Sequence, residues 1–307
     1  MKKKYVLSIL PIILLGACSG GLKETDTINI LAPKGAPAVA FYKHATDSNF
    51  TTAAAENIKS MLTKKSPYTV VVVDTLSGVS ALKNKAPYKL AATITFGNFY
   101  LASTGNDENG TLDVGDRIIV FNRGAVSDKI FHYVYGDIYD DYITYVPDAT
   151  IAKGCLETKK DLENNPVDYV FIAQPALFAA MQTNTDAAVY DNIQQKYQEK
   201  SGSNRIIQAS VFVKKNLKKE AADEFLNTLS TDIAEGLATP SVIKSEMDKA
   251  GDNVVAKFGV GSAPAFKVTQ NGNGMGLGFA YSKDIKDEID ASLAVYGMSA
   301  TNEEMYY

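Results

Sequence analysis

Side chains able to carry out covalent chemistry are scarce in this sequence. It holds two histidines, His44 and His132, and two cysteines, Cys18 and Cys155. A nucleophile needs a matched base within hydrogen-bond reach, and no G-x-S-x-G elbow or H-E-x-x-H pair supplies one. Cys155 is either a reactive thiol or a small buried residue, the commoner fate of a lone cysteine among apolar neighbours. A Cys-rich or Cys/His zinc or iron–sulfur site is ruled out by count, so neither metal nor cofactor is expected. Thr104–Asp116 is acidic and glycine-bearing, yet its acids miss the alternate positions of a calcium loop, and a solvated connection is expected. The glycines of Asn271–Gly278 fall at every second position, which matches no phosphate-loop fingerprint and predicts an irregular surface loop.

What remains is binding, by groups that several strand–turn–helix corners would present. Ile28, Ile30 and Leu31 read as a short strand, Pro33-Lys34-Gly35-Ala36 as a turn, and Pro37 as the first residue of a helix to about Ala45. Such a corner aims unpaired N–H groups and partial positive charge beyond the sheet, toward an anion or a carbonyl oxygen. The valine run Val70–Val73 ends in Thr75-Leu76-Ser77, Arg117–Phe121 ends in Asn122–Ser127, and Asp168–Ala173 ends in Gln174-Pro175. Arg123, directly before Gly124, either meets a ligand charge or points to solvent. At every one of these positions the alternative is a residue that only shapes its turn. His132, on the helix after the third corner, is expected to be structural or exposed.

The elements that must position these corners follow from periodicity. Val70–Val73 does not alternate in polarity, the mark of a strand covered on both faces in a parallel sheet. Tyr88–Thr95 and a strand ending at Ser103 follow, the latter after Phe96-Gly97-Asn98. Asp47–Phe50 reads as a break or very short strand, Thr51–Leu62 as a helix with Ile58, Met61 and Leu62 on one face. Beyond the strand Ile207–Val213 the chain reads as mostly helical, over Glu220–Leu237, Pro240–Ala250, a piece near Val254–Phe258, and Asp284–Tyr296. Strands alternating with helices predict an α/β protein. Two polar tracts, Thr104–Asp116 and Ser201–Asn204, predict two lobes joined by two crossings: 27–112 plus 206–307, and 113–205.

The chain is 307 residues long, enough for two medium domains with real cores. Its net charge of −4 gives no basic surface, so nucleic acid is not an expected partner. Only Arg117, Arg123 and Arg205 are arginines, so bidentate anion clamps are few. Residues 1–18 combine Lys2-Lys3-Lys4 with the apolar run Tyr5–Leu15 and Leu15-Gly16-Ala17-Cys18, which resembles a bacterial lipoprotein signal ending at an acylated Cys18. An uncleaved anchor is the alternative. Residues 19–26 would then be a flexible tether, and the protein would sit lipid-anchored on the extracytoplasmic face of a membrane. With Cys18 acylated, no internal disulfide can form.

Taken together, A-P-K-G-A-P-A (Ala32–Ala38), the valine strand leading to Thr75, Y-K-L-A-A-T-I-T-F-G-N-F-Y-L (Tyr88–Leu101), Gly124-Ala125, D-Y-V-F-I-A-Q-P-A (Asp168–Ala176) and Glu304–Tyr307 resemble type II solute-binding proteins of ABC importers. The branch is that of nitrate, sulfonate, taurine and thiamine-precursor binders. The resemblance implies an α/β, two-lobe periplasmic-binding-protein fold with two interlobe crossings. It also implies a monomer that hands a small solute to a permease and an ATPase. Carried over by position, the ligand loops are Lys34-Gly35-Ala36, Thr75-Leu76-Ser77, Gly97-Asn98, Arg123 with Gly124-Ala125 and Ser127, Gln174, and Gln208 with Ser210. The expected solute is anionic or heteroaromatic. Two alternatives stand beside this: an extracytoplasmic enzyme resembling thiamine pyrimidine synthases, with His44 as its candidate, and a surface interaction or sensor protein.

Overall fold

The computed structural model describes residues 22–107, 109–203 and 205–307. The signal segment and Cys18 lie outside the described residues. Eleven strands run in chain order through the described part. They are β1 (Ile30–Pro33), β2 (Phe50–Ala53), β3 (Val70–Asp74), β4 (Tyr88–Thr95), β5 (Phe99–Ser103), β6 (Ile118–Phe121), β7 (Ile143–Val146), β8 (Tyr169–Ala173), β9 (Ala188–Asn192), β10 (Ala209–Lys214) and β11 (Leu277–Tyr281).

They form two sheets of order β11-β4-β10-β3-β1-β2 and β7-β6-β8-β5-β9. Within the first, β1 pairs parallel with β2 and β3, while β10 lies antiparallel between β3 and β4. In the second, β6 pairs parallel with β7 and β8, and β5 lies antiparallel between β8 and β9. Five strands of each sheet therefore share one topology. In both, the antiparallel strand is the one that enters directly after the chain has crossed from the other sheet.

The valine run behaves as its composition dictates. Val70 and Val72 enter one apolar core and Val71 and Val73 the other, so β3 is buried on both faces. The long helix Lys219–Ala238 covers the first sheet with Ala222, Phe225, Leu226, Leu229 and Ile233, one stripe at helical spacing. In the second lobe Phe99, Phe121, Phe131 and Phe171 form an aromatic cluster with ring centroids 5.4–6.3 Å apart.

Several expectations are corrected. β5 pairs with β8 and β9 in the second sheet, so the first crossing is Phe96–Asn98, well before residue 112. The polar tract Thr104–Asp116 is a loop within the second lobe. The first helix is a single turn, Ala36–Val39, followed by a 3-10 turn at Tyr42–His44. Thr51–Ala53 belongs to β2, because a run of Phe and Thr completes the sheet edge in parallel register with β1; the helix begins only at Ala55. A helix at Ser262–Gln270 and the strand β11 were not legible, since Pro264 and the surrounding glycines mask their periodicity. Asn271–Gly278 is exposed at Asn271 and Gly272, as expected of a surface loop, but its second half is packed. The Gly276 carbonyl accepts from Phe96 N–H at 2.7 Å, against the first crossing.

Candidate functional site

Ligands of open α/β sheets bind beyond the carboxyl ends of the strands, and here those ends face each other. A cavity of about 80 Å³ lies between the lobes, lined by Lys34, Gly35, Asp74, Asn98, Asn122, Ser127, Asp148, Thr150, Gln174, Gln208 and Gly259 among others. Its apolar wall comes from Ile58, Val73, Phe99, Phe121, Val126 and Val260. About 10–15 Å³ suffices for one water, so the space suits a compact solute.

The corner at Lys34 depends on Gly35, whose φ of 101° is open to glycine and costly for other residues. Gly35 N–H donates to the Phe258 carbonyl at 2.8 Å, tying the corner to the segment that places Gly259 against Lys34. The corner after β3 is capped by Asp74, whose carboxylate accepts from Ser77 N–H at 2.9 Å. Burial pushes the Asp74 carboxyl up; hydrogen bonding from Ser77 and the positive charge of Lys59 act against that rise.

Two further helix starts facing the cavity are supplied with internal acceptors, whereas those at Ala36 and Val126 have no side-chain cap. Asp148 accepts from the N–H groups of Thr150 at 2.8 Å and Ile151 at 3.0 Å. The Gln174 side-chain oxygen accepts from Phe178 N–H at 3.0 Å. Ser127 donates its hydroxyl to the Phe121 carbonyl at 2.7 Å.

Both crossings carry a buried amide that is not fully paired. Asn98, 2% exposed, precedes β5, and Gln208, 9% exposed, precedes β10. Asn98 Nδ2 donates to the Gln174 carbonyl at 2.8 Å, while Asn98 Oδ1 and Gln208 Oε1 have no partner. A buried polar atom without a partner costs about 1–3 kcal/mol, and a bound solute is one way to recover it.

Of the residues expected from sequence, Lys34, Gly35, Ala36, Asn98, Ser127, Gln174 and Gln208 line this cavity. Thr75, Leu76, Ser77, Gly97, Arg123, Gly124, Ala125 and Ser210 do not. Thr75 and Ser210 belong to a buried hydroxyl chain, Ser282–Thr93–Ser210–Thr75, with links of 3.3, 3.0 and 2.7 Å, that ends on the Gln208 carbonyl. Leu76 packs in the core. Gly97 abuts the Gln194 side chain. Arg123 stacks on the Tyr145 ring at 4.8 Å in an outer groove with Asp128 and His132, which resolves its direction away from the cavity. Gly124 N–H is taken by Asp128 at 2.7 Å. Arg205 pairs with Glu288 at 2.7 Å and stacks on Phe96.

Asp74, Asn122, Asp148 and Thr150 are the polar lining residues that sequence reasoning missed. Asp74 and Asn122 each stand one place before an expected residue: at these two corners the last position of the strand or the first beyond it faces the cleft in place of Thr75 and Arg123. The groups considered for catalysis lie elsewhere. His44 pairs with Asp47 at 2.8 Å on the outside of the first lobe. His132 pairs with Asp128 and Asp140, a grouping with Asp137 close enough to suggest a metal site but shared with Arg123 and Lys129. Cys155 is buried, and burial pushes its thiol up.

No protein-family model matches the sequence, and no curated protein matches it. Solved structures do match. An ABC transporter protein from Parabacteroides distasonis superposes with a TM-score of 0.70 at 13% identity, over 92% of this chain and 99% of that one. The periplasmic aliphatic sulphonate binding protein of Escherichia coli gives 0.60 at 11%, over 89% and 86%. The ligand-binding component of an ABC-type import system from Staphylococcus aureus, with zinc bound, gives 0.58 at 6%, over 91% and 95%. At these identities the likeness establishes the fold. The chain has the two-lobe α/β fold of periplasmic solute-binding proteins.

Proposed function

We propose that this protein is an extracytoplasmic solute receptor of an ABC importer, tethered to the membrane through an acylated Cys18. The expected tether 19–26 is shortened at its far end, because Thr25 N–H donates to the Asn216 carbonyl at 2.9 Å and Lys218 N–H to the Thr25 carbonyl at 2.8 Å, which fix this stretch to the first lobe. The protein binds one compact solute between the lobes and passes it to a permease and an ATPase. The lobes are about 27–95 with 209–307, and about 99–201, hinged at Phe96–Asn98 and near Gln208. Asn98 and Gln208 contact the solute, with Asp74, Asn122 and Thr150 completing the polar lining and Lys34 at the first corner.

The observation that carries this reading is the meeting of corners from both sheets on one cavity whose buried Asn98 and Gln208 oxygens lack partners. Concave, largely apolar sites with a few convergent polar groups are what small-molecule receptors present. A location outside the cytoplasm agrees with the lipoprotein-like leader and with the periplasmic and import-system roles of the structural neighbours. Among the described residues no helix is long and apolar enough to cross a membrane. The binding role is favoured over an enzymatic one because His44, His132 and Cys155 stand away from the cavity.

Thermal-shift screening of the mature chain against a small-solute library tests the proposal. Ligands that bind only the native state raise its melting temperature, so at least one solute is expected to do so, with one site per chain by calorimetry. A library without a single hit counts against the receptor reading.

A further inference from the structure

We propose that the pole of the first lobe opposite the cavity is a docking face for anionic phospholipid head groups, held close to the membrane by the short tether. The inference rests on the acylation of Cys18 proposed above and not on the identity of the solute.

Three stretches of the chain, 63–68, 83–89 and 214–219, hold nine lysines and no acid. The fold gathers them in one place. The first two lead into β3 and β4 and the third leads out of β10, and these strands lie side by side in the order β4-β10-β3. Because β10 runs antiparallel to both neighbours, its exit and their entries fall at the same end. Lys214 Nζ donates to the Lys64 carbonyl at 3.1 Å and the Ser66 carbonyl at 2.5 Å. Lys215 N–H donates to the Pro87 carbonyl at 2.9 Å, and the Tyr88 hydroxyl to the Tyr68 carbonyl at 2.7 Å. The cavity lies at the other ends of these strands, where Asp74 and Ala209 line it, about 17 Å away along β10.

Lys64, Lys65, Lys85 and Lys215 are exposed. Among the described residues Lys65, Lys85 and Lys215 form no ion pair, whereas Lys218 pairs with Asp26 and Lys219 with Asp223. The acids next to these stretches in the chain, Glu24, Asp26, Glu220 and Asp223, are outnumbered, so the pole is positive on a chain whose net charge is −4. Lys89, Lys215 and Lys219 also line a groove of about 810 Å³ with Tyr281 and Tyr307, whose amphipathic rings suit the head-group level of a bilayer.

The tether leaves the fold at this same pole. Asn216 Nδ2 donates to the Lys23 carbonyl at 2.6 Å, beside Lys215 and Lys218. From Lys23 back to Cys18 a fully extended chain reaches at most about 18 Å. An acylated Cys18 therefore keeps the lysine loops near the bilayer, and attraction to anionic head groups, felt over a Debye length of roughly 8 Å, closes the remaining gap. Each lysine at such a surface strengthens binding by about fivefold.

The test uses the mature acylated chain on phosphatidylcholine vesicles with and without phosphatidylglycerol, with amine-reactive labelling read lysine by lysine in a mass spectrometer. Lys65, Lys85 and Lys215 are expected to label roughly threefold or more slowly on the anionic vesicles, while the exposed Lys129 and Lys196 of the second lobe keep their rates. The slowing should vanish in high salt. It should also vanish at Lys85 in the Lys64→Gln, Lys65→Gln, Lys215→Gln variant, whose altered side chains are exposed and far from the cavity. Equal labelling on both kinds of vesicle, or slowing that survives salt or the triple substitution, overturns the inference and leaves the tether and the receptor role standing. A mature chain whose N-terminal peptide carries no lipid overturns the tether and this inference together.

Discussion

Asn98 and Gln174 hold each other by two reciprocal hydrogen bonds. Gln174 N–H donates to the Asn98 carbonyl at 2.9 Å, and Asn98 Nδ2 donates to the Gln174 carbonyl at 2.8 Å. The pair fastens the first crossing to the corner after β8 and leaves one side-chain acceptor, Asn98 Oδ1, buried without a partner. Asn98→Leu removes one of these bonds and leaves the Gln174 carbonyl unpaired, which costs about 1–3 kcal/mol. Urea unfolding should register that loss, and solute affinity should fall beyond what a change in stability explains.

The buried hydroxyl chain predicts a different outcome at residues that look like ligand contacts. Thr75 and Ser210 are 2% and 0% exposed and bond to each other at 2.7 Å. Thr75→Val should destabilise the fold by ~1–3 kcal/mol, because Ser210 and the Gln208 carbonyl lose a partner. Affinity for the solute, measured by titration, should change less than threefold. A large affinity loss with unchanged stability would return Thr75 to the ligand site.

Gly276 marks where the first crossing is packed most closely. A Cβ there would lie 2.2 Å from the Gly97 carbonyl oxygen, and φ is 61°. Backbone cannot yield as a side chain does, so Gly276→Ala must shift the crossing, at about 1–3 kcal/mol or more. Thermal denaturation measures the cost, and hydrogen exchange should show faster opening at Phe96–Phe99.

His132 gives a pH signature. Burial opposes its charged form, but hydrogen bonds with Asp128 and Asp140 outweigh it, and its pKa is raised above 6.5. A histidine raised on folding contributes stability that is complete below the unfolded pKa and lost as pH rises through the folded one. His132→Gln should therefore cost more stability at pH 5 than at pH 9. Equal costs at both values would mean that the pairing with Asp140 at 2.9 Å carries no charge.

Cys155 should behave as a packing residue. It is 3% exposed, and burial pushes its thiol up, away from the reactive thiolate. A thiol reagent is expected to label it slowly in the native chain and rapidly in urea.

How much of this was legible in the sequence depends on what each feature requires. Val70–Val73 could be read because burial on both faces leaves a run without alternation. The corners at Lys34, Thr75, Gly124 and Gln174 could be read because turn residues interrupt such runs. Membership of a sheet could not: Phe99–Ser103 is a strand by composition, but its pairing with β8 and β9 is a long-range choice that no local pattern records. The site was half legible for a related reason. Loop positions were found, whereas the directions of Asp74 against Thr75 and Asn122 against Arg123 follow from the pleat and from partners such as Tyr145 and Ser210.

The central claim is that a solute sits between the lobes against both crossings. Calorimetric titration of a solute that stabilises the chain, into wild type and into the Asn98→Leu, Gln208→Leu double variant, tests it most directly. One site per chain, weakened at least tenfold in the double variant while its fold persists, is the predicted result. Undiminished affinity in that variant would place the solute elsewhere and contradict the account.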